Sequence, residues 1–595
     1  MPEALHPAFL YLFGALLIPF LKGRTRQAVA MLIPIAGFIN YFQIPEGVHW
    51  KYQLLDFELI LGRADDWSLI FLNIFTVLSF IGILYIIKDN KPLMLSAGLL
   101  YAGSAMGVIL AGDLITLFLF WEMLTAAAVL CLLDRGTPAS GRAATRYLLI
   151  HILGGVVLLA GIVIHLASGG SAAFDKIELS GIGAWLIFIG FGINCAWPVL
   201  GAWLTDTYPE ASIGGIVFMA TYTTKTAIYV LARTFPGEET LIWIGVVMAV
   251  VPLFYAFVAN DLRRVLAYCL VNQVGFMVIG VGLGTGLSLN GTAAHAYCHI
   301  LYKALLFMSI GAVMYRTGKS KATELGGLYK SMPWTCLFCC IGAVSISAPL
   351  FCGFVSKSMI ISAAASGGYS IAWLALLFGS AGVFLCAGLK VPFFTFFNRD
   401  SGVRCEEAPT NQLLAMGLTA FLCIFVGTFP NQFLYPMLPN QEYMYVPYTV
   451  AHVTDLLAML FFTGLAFTLL IRSGFKPAEI RSTLLDADFL YRKGGPAFYK
   501  VMDKSLNGLN AATSKVMIGS VVHHVSNFFE SGASRFLVWA LTPIWMIRGD
   551  SKEQIEEHRQ SVFKRAKRGA FPIGLTAFCA VVMLGLLSLI FLLES

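Results

Sequence analysis

Charge is scarce in this chain. Asp, Glu, Lys and Arg make up 12% of its 595 residues, against 58% hydrophobic residues, and mean hydropathy is +0.77. Soluble globular domains carry about 25% charged residues, so the balance excludes that class and indicates a polytopic membrane protein. The net charge of +7 is no nucleic-acid signal, because the basic residues sit in short loops between apolar runs. A Walker motif, a Rossmann glycine fingerprint and a cysteine set for haem or an iron–sulfur cluster are all missing. No cofactor, no metal and no enzyme chemistry are expected, and any energy must come from an ion gradient or a partner. The twelve cysteines lie mostly in apolar runs. Cys336, Cys339 and Cys340 form a Cys-x-x-Cys-Cys cluster without a partner cluster, which reads as packing. The first apolar run, Ala8 to Leu21, has neither a basic leader nor a cleavage site before Lys22-Gly-Arg-Thr-Arg26, so it is expected to be a retained span.

What the chain has in abundance is apolar runs of membrane-crossing length, about 17–25 residues each. The expected fold is an all-α polytopic membrane protein with roughly sixteen transmembrane helices. The spans are placed at 6–21, 27–44, 66–87, 93–111, 113–133, 146–168, 181–203, 211–233, 239–259, 264–286, 290–315, 334–365, 370–395, 411–429, 450–472 and 570–592. Segment 334–365 is too long for one straight helix and contains Pro349 and Gly353, so it is read as broken. Basic loops follow the odd-numbered spans: Lys22/Arg24/Arg26, Lys88/Lys91, Arg135/Arg142/Arg146, Arg263/Arg264, Arg316/Lys319/Lys321/Lys330 and Arg399/Arg404. The positive-inside rule puts these loops in the cytoplasm and both termini outside, in what reads as a bacterial inner membrane. Residues 474–569 are different: charged, and amphipathic at Phe498, Val501, Met502, Leu506 and Leu509, then Val521, Val522, Val525 and Phe528. That spacing predicts a lateral helix along the membrane surface or a neighbouring subunit, with a cytoplasmic linker as the plainer reading.

Several ionisable residues lie inside the spans, where a mid-span charge costs about 2.5–3.5 kcal/mol on insertion scales. Lys225 interrupts an apolar stretch from Gly214 to Leu231. His295, His299 and Lys303 follow at i, i+4 and i+8, which places them on one helical stripe. Glu122 lies in Leu114-Ile-Thr-Leu-Phe-Leu-Phe-Trp-Glu122, and Lys357 follows Pro349 and Gly353 in the broken segment. Irregular backbone at membrane depth is tolerated where it lines a wet cavity. Burial brings lysine and glutamate toward the neutral range in which histidine already titrates. A row of such groups can pass protons stepwise. The plainer readings are a snorkelling lysine with a structural histidine pair, and a buried hydrogen-bonded acid at Glu122. A metal at the two histidines lacks an evident carboxylate. His151 is a weaker candidate near a span start. Asp113, Asp206, Glu210 and Asp261 sit at span ends, where such residues cap helices. Asp206 and Glu210 could also gather protons at an entrance. Pro198 suggests a second broken span, and paired breaks are a mark of inverted-repeat transporters.

The stretches Asp113-Leu-x-Thr-Leu-x-x-x-Trp-Glu122, Trp203-Leu-x-Asp-x-Tyr-Pro-Glu-Ala-Ser212, Thr223-Thr-Lys-Thr-Ala-x-Tyr229, Asp261-Leu-Arg-Arg-Val-Leu-Ala-Tyr268, His295-x3-His-x3-Lys303, Gly353-Phe-x-Ser-Lys357 and Glu407-Ala-Pro409 resemble the antiporter-like subunits of Mrp-type cation/proton antiporters, respiratory complex I and membrane-bound hydrogenases. The likeness is greatest to the D-type subunit of the Mrp antiporters. The tail, with Asp486-Ala-Asp-Phe-Leu-Tyr491, resembles the lateral helix and last span of the largest complex I antiporter-like subunit. The resemblance implies N-terminal spans over 1–92, inverted five-helix repeats over 93–233 and 239–395, core spans over 411–472, a lateral helix over 474–569 and an anchoring span over 570–592. It implies proton-moving roles for Glu122, Lys225, Lys303 and Lys357, with His295 and His299 between them. It also implies partner membrane subunits, with protons and sodium as the transported ions.

Two positions depart from the family pattern. A lysine usual in the broken seventh span, the partner of the Glu122 position, is Asn194 here, and a conducting lysine before Arg264 is replaced by Arg263. The expected function is a proton-translocating subunit of an Mrp-type or related complex. The alternatives are a subunit of a redox-driven pump, proton-driven uptake of inorganic carbon, and a non-conducting scaffold.

Overall fold

A computed structural model describes residues 5–54, 57–473, 486–569 and 580–585. The chain divides into two units, Met1–Asp488 and Phe489–Ser595.

Without water in the bilayer core, a spanning backbone must satisfy its own hydrogen bonds, and the helix does so within one segment. The first unit is accordingly a helical bundle: α1 (Pro7–Leu17), α2 (Gly23–Tyr41), α3 (Asp66–Ile86), α4 (Pro92–Leu110), α5 (Leu114–Leu133), α6 (Pro138–Ala167), α7 (Gly181–Asn194), α8 (Ala202–Thr207), α9 (Gly215–Thr221), α10 (Thr223–Thr234), α11 (Glu239–Val258), α12 (Leu262–Leu283), α13 (Gly286–Thr317), α14 (Pro333–Val344), α15 (Cys352–Ser366), α16 (Ser370–Val383), α17 (Thr410–Thr428) and α18 (Val450–Arg472). Among the described residues, eleven helices are long and apolar enough to cross a membrane, and four shorter apolar ones accompany them. The expected count of sixteen is therefore not reproduced as such. The final span, 570–592, falls mostly outside the described residues.

The helices differ in depth. The spans formed by α9–α10 and by α12 are wholly buried and that of α13 is 94% buried, whereas those of α6 and α11 are 39% buried and that of α18 only 11%. The ionisable stripe thus lies on the innermost helices. The apolar outward faces of α6, α11 and α18 suit lipid or another subunit.

The structure departs from expectation in two places in this unit. Residues 45–65 are no plain loop: β1 (Gly47–Leu54) and β2 (Phe57–Ala64) form an antiparallel hairpin, Val48 opposite Arg63 and Lys51 opposite Ile60. And α6 begins at Pro138, not near 146. Thr137 and Ser140 cap it reciprocally, with proline in the first turn. Arg142 and Arg146 are inside the helix, and His151 lies well within it rather than near its start.

Two helix starts are built alike. Asp113 caps α5, accepting from the backbone N–H of Ile115 and Thr116 at 2.9 and 2.8 Å. There Leu114 N–H bonds Ala172 carbonyl, and Phe174 N–H bonds Gly112 carbonyl. Asp261 caps α12 through Arg264 N–H at 3.0 Å. Leu262 N–H bonds Ser320 carbonyl, and Ala322 N–H bonds Asn260 carbonyl. In each half a helix start is latched to the loop that follows the next helix. Both aspartates thus act as the caps that their place at span ends predicts.

Each half also contains a broken helix. Between α7 and α8 stands Pro198, between α14 and α15 Pro349, where the prolines predict the breaks. Ala196, Val199 and Leu350 take φ of 60°, 69° and 70°, the left-handed region that non-glycine residues rarely occupy.

In the second unit α19 (Asp488–Ser514) continues through a π-helical stretch (Lys515–Val522) into α20 (His523–Ile547), and α21 (Lys552–Gly569) packs back on α20. The continuous helical run from α19 to α20 is roughly 90 Å long at about 1.5 Å per residue. Phe498, Val501, Leu506, Leu509, Val521, Val522, Val525 and Phe528 stand exposed along it.

Candidate functional site

The site is built from interruptions in helices and from side chains that fill them. The helical ladder falters at Tyr222, between α9 and α10. Lys225, just beyond, turns its ammonium back to donate to the Ala220 carbonyl at 2.6 Å and to Thr224 Oγ1 at 3.1 Å. A kink exposes such carbonyls, and a buried donor needs them. No carboxylate pairs with Lys225 among the described residues.

On α13, His295, His299 and Lys303 lie along one face and are buried. His295 Nδ1 is 3.0 Å from Ser356 Oγ on α15. The two histidine ring centres are 5.9 Å apart, and His299 lies edge-on to Tyr302 at 5.2 Å. Tyr302 donates to Gln273 Oε1 at 2.9 Å, Gln273 donates to Asn272 Oδ1 at 2.5 Å, and Asn272 ends the chain on the Ala249 carbonyl. Lys357 donates to Ser347 Oγ at 3.0 Å within the α14–α15 gap, and its ammonium lies 5.3 Å from the Phe276 ring centre. Lys303 Nζ, both ring nitrogens of His299 and Nε2 of His295 have no protein hydrogen-bond partner among the described residues.

The first half is arranged around Glu122. Its Oε1 lies so close to Gly155 of α6 that a Cβ there would collide with it. Four residues before Gly155, His151 stacks on Tyr147 with ring centres 3.8 Å apart, and its Nδ1 lies 2.9 Å from the Tyr147 carbonyl. The Tyr147 hydroxyl is 3.3 Å from Thr223 Oγ1, which also meets the Tyr101 hydroxyl. Thr223 is two residues from Lys225, and Tyr147 shares α6 with His151 and Gly155, so the hydroxyl cluster links the helix beside Glu122 to the helix of Lys225. Asn194 ends α7, buried, with both side-chain polar atoms unpartnered among the described residues. No cationic side chain pairs with Glu122 among the described residues.

The remaining candidates hold structure together. Arg263 is buried and donates to the carbonyls of Ala211 and Ser212 at 2.8 and 3.2 Å, clamping the turn after Tyr208-Pro-Glu. Asp206 receives Arg146 through two bonds, 2.6 and 3.0 Å, and Glu210 meets Arg135 at 3.1 Å. Neither acid caps a helix.

Sequence reasoning missed Gln273, Asn272, Tyr302, Ser347, Ser356 and the Tyr101–Thr223–Tyr147 cluster. The adjacent Asn272-Gln273 pair inside an apolar span was a usable signal; single hydroxyls are too common in such spans to stand out. Lys390 was also missed. It lies in a π-helical stretch after α16 and donates to the carbonyls of Phe257 and Ala259, both at 2.7 Å, neutralising the end of α11. No group of side chains suited to a metal occurs among the described residues.

Residues 111–386 match the family described as NADH:quinone oxidoreductase/Mrp antiporter, transmembrane. The chain is 30% identical over 321 residues to the D subunit of the Na(+)/H(+) antiporter of Alkalihalophilus pseudofirmus, an alignment covering 49% of this chain and 63% of that protein. It is 27% identical over 469 residues to NAD(P)H-quinone oxidoreductase chain 4 1 of Synechococcus elongatus, covering 72% of this chain and 86% of the relative. In three dimensions it resembles a chain of the Mrp complex from Dietzia sp. DQ12-45-1b with a TM-score of 0.73 at 20% identity, over 87% of this chain and 62% of the other.

Proposed function

From a chain that carries the transmembrane module of the NADH:quinone oxidoreductase/Mrp antiporter family, we propose a proton-translocating subunit of a multi-subunit Mrp-type cation/proton antiporter or related complex. The observation that carries this reading is the buried row Lys225, His299, Lys303, His295 and Lys357, whose nitrogens are largely without protein partners among the described residues. Buried polar atoms are ordinarily satisfied by protein or by water, so such a row calls for water between its members. Water-bridged amines and imidazoles exchange protons: an ammonium releases one to water, and the next nitrogen takes one up. Ser347 and Thr224 hold the end members in place, and Ser356 holds His295.

In the first half Glu122 supplies a carboxylate and His151 an imidazole. With Asn194 unable to carry charge, the Tyr147–Thr223–Tyr101 hydroxyls offer a route toward Lys225, since a hydroxyl accepts one proton while donating another. Arg263, Asp206 and Glu210 position the turn between the halves. The positive-inside pattern, with Arg135 in the loop before α6 and Arg142 and Arg146 early in that helix, supports that end in the cytoplasm of a bacterial cell and both termini outside. Sodium is the proposed counter-ion.

Proton flux measured in vesicles holding the intact complex tests the reading. Lys225→Ala and Lys303→Ala should each abolish flux while the complex still assembles; unchanged flux in both would sink it. A second reading, membership of a redox-driven pump, is favoured by the fuller coverage of the quinone oxidoreductase relative.

A further inference from the structure

Beside the first helix break lies a cavity of about 250 Å³ that the buried row does not use. Val199, Val247, Val251, Tyr255, Tyr268 and Asp486 line it. The three valines are exposed, so the cavity opens on the outer surface of the bundle. Its depth follows from the two helices that form it. α11 ends at Val258 and α12 starts at Leu262, so their junction stands at one membrane face. Tyr255 and Tyr268 lie roughly 5 and 9 Å from it at about 1.5 Å per residue. Val251 and Val247 lie roughly 10 and 17 Å from it on the same measure. The headgroup layer is about 5–7 Å deep on each side. The cavity therefore runs from headgroup level, where tyrosines gather, into the hydrocarbon.

Its shallow part is polar. Asp486 Oδ2 accepts from the Thr205 hydroxyl at 3.1 Å and from the Tyr268 hydroxyl at 2.8 Å. The other oxygen accepts the Ala487 N–H at 2.6 Å. A carboxylate offers about four acceptor sites, so room for a further donor remains. No cationic side chain pairs with Asp486 among the described residues. One turn before Tyr268, on the same helix face, stands Arg264. Its Nε is buried without a hydrogen-bond partner among the described residues. Arg146, beside Thr205, is already engaged by Asp206. An unpaired acid and an under-used guanidinium thus stand close together at the head of an apolar slot. The cavity has room for about eight waters at about 30 Å³ each. That holds a small zwitterionic head and the upper part of one chain. A partner helix, about 10 Å across, does not enter it.

We propose that this cavity binds a phospholipid whose head carries a primary ammonium, of the phosphatidylethanolamine class. Asp486 accepts the ammonium, Arg264 meets the phosphate, and one acyl chain lies along Val247 and Val251. The lipid then bridges α11 and α12 to the segment that carries Asp486. The site is independent of whether protons move through the row.

The test uses the intact complex, stripped of lipid in detergent. It is titrated with phosphatidylethanolamine or with phosphatidylglycerol of the same chains, and native mass spectrometry counts the lipid retained. The wild type should hold one ethanolamine lipid about tenfold or more tighter than a glycerol lipid, whose head brings no cation to Asp486. Asp486→Asn keeps an acceptor for both hydroxyls and should erase that preference. Arg264→Gln should weaken both lipids and leave the preference standing. Val251→Trp fills the slot and should abolish retention with both charged residues in place. Equal retention of the two lipids by the wild type overturns the proposal, as does a preference that survives Asp486→Asn. Soluble phosphoethanolamine bound as tightly as the lipid also overturns it, since the chain then contributes nothing. Where Asp486→Asn fails to assemble, the other two variants decide: unchanged retention in both overturns the site.

Discussion

Glu122 depends on a residue that has no side chain. Its carboxylate occupies the space over Gly155, and a methyl group there would strike Oε1. Gly155→Ala should therefore displace the carboxylate and lower proton flux severalfold, although alanine is the better helix former by about 1 kcal/mol. Gly141→Ala in the same helix meets open space and should leave flux unchanged and raise the melting temperature slightly. Equal flux in the two variants would show that the carboxylate's position does not matter. The charged members of this site were readable because a lysine or glutamate in an apolar run is expensive and conspicuous. Their partners were not. Ser347, Ser356 and Thr224 look like any other small residues in a membrane helix, and only the fold shows which nitrogen each one meets. Asn194 was readable as a departure, but its empty set of partners was not.

The helices were legible where apolar length and proline coincide. Pro198 and Pro349 marked both breaks, and Asp113 and Asp261 marked two starts. The hairpin of β1 and β2 escaped because its strands are short, half polar and flanked by spans that dominate any hydropathy average. The start of α6 escaped for a different reason: Arg142 and Arg146 read as loop charges, yet Arg146 is held within the helix by Asp206. Asp113 does more than cap. It also accepts the Ile60 N–H of β2 at 2.6 Å and the Thr116 hydroxyl at 2.6 Å, so one carboxylate joins a helix and a hairpin. Asp113→Ala should cost about 2 kcal/mol or more in stability. Hydrogen exchange should rise at Ile60 as well as in the first turn of α5. Protection lost at α5 alone would show that the hairpin is held by other contacts.

The assembled bundle places its charged row on the helices with the least exposure and leaves apolar faces outward on α6, α11 and α18. The second unit adds an amphipathic rod with its apolar side chains exposed. Deleting residues 474–595 should release a partner subunit from the purified complex, as judged by the proteins that remain bound. A complex that still purifies whole would remove the rod from any docking role. The membrane class, the bundle and the two breaks could be foreseen from composition and spacing. The helical spacing of the rod was legible too; its continuity from α19 to α20 through the π-helical stretch was not.

The amines at Lys225, Lys303 and Lys357 have a further consequence. Among the described residues no acid pairs with any of them. Full occupancy of the row would stack like charges in a medium that screens them weakly. Proton binding along it is then anticooperative. Under the proton-translocating reading, a proton arriving at one end would make its neighbours readier to let theirs go, so a vacancy would travel as readily as a charge. The sites would then titrate as a set, with no pH midpoint belonging to any one of them.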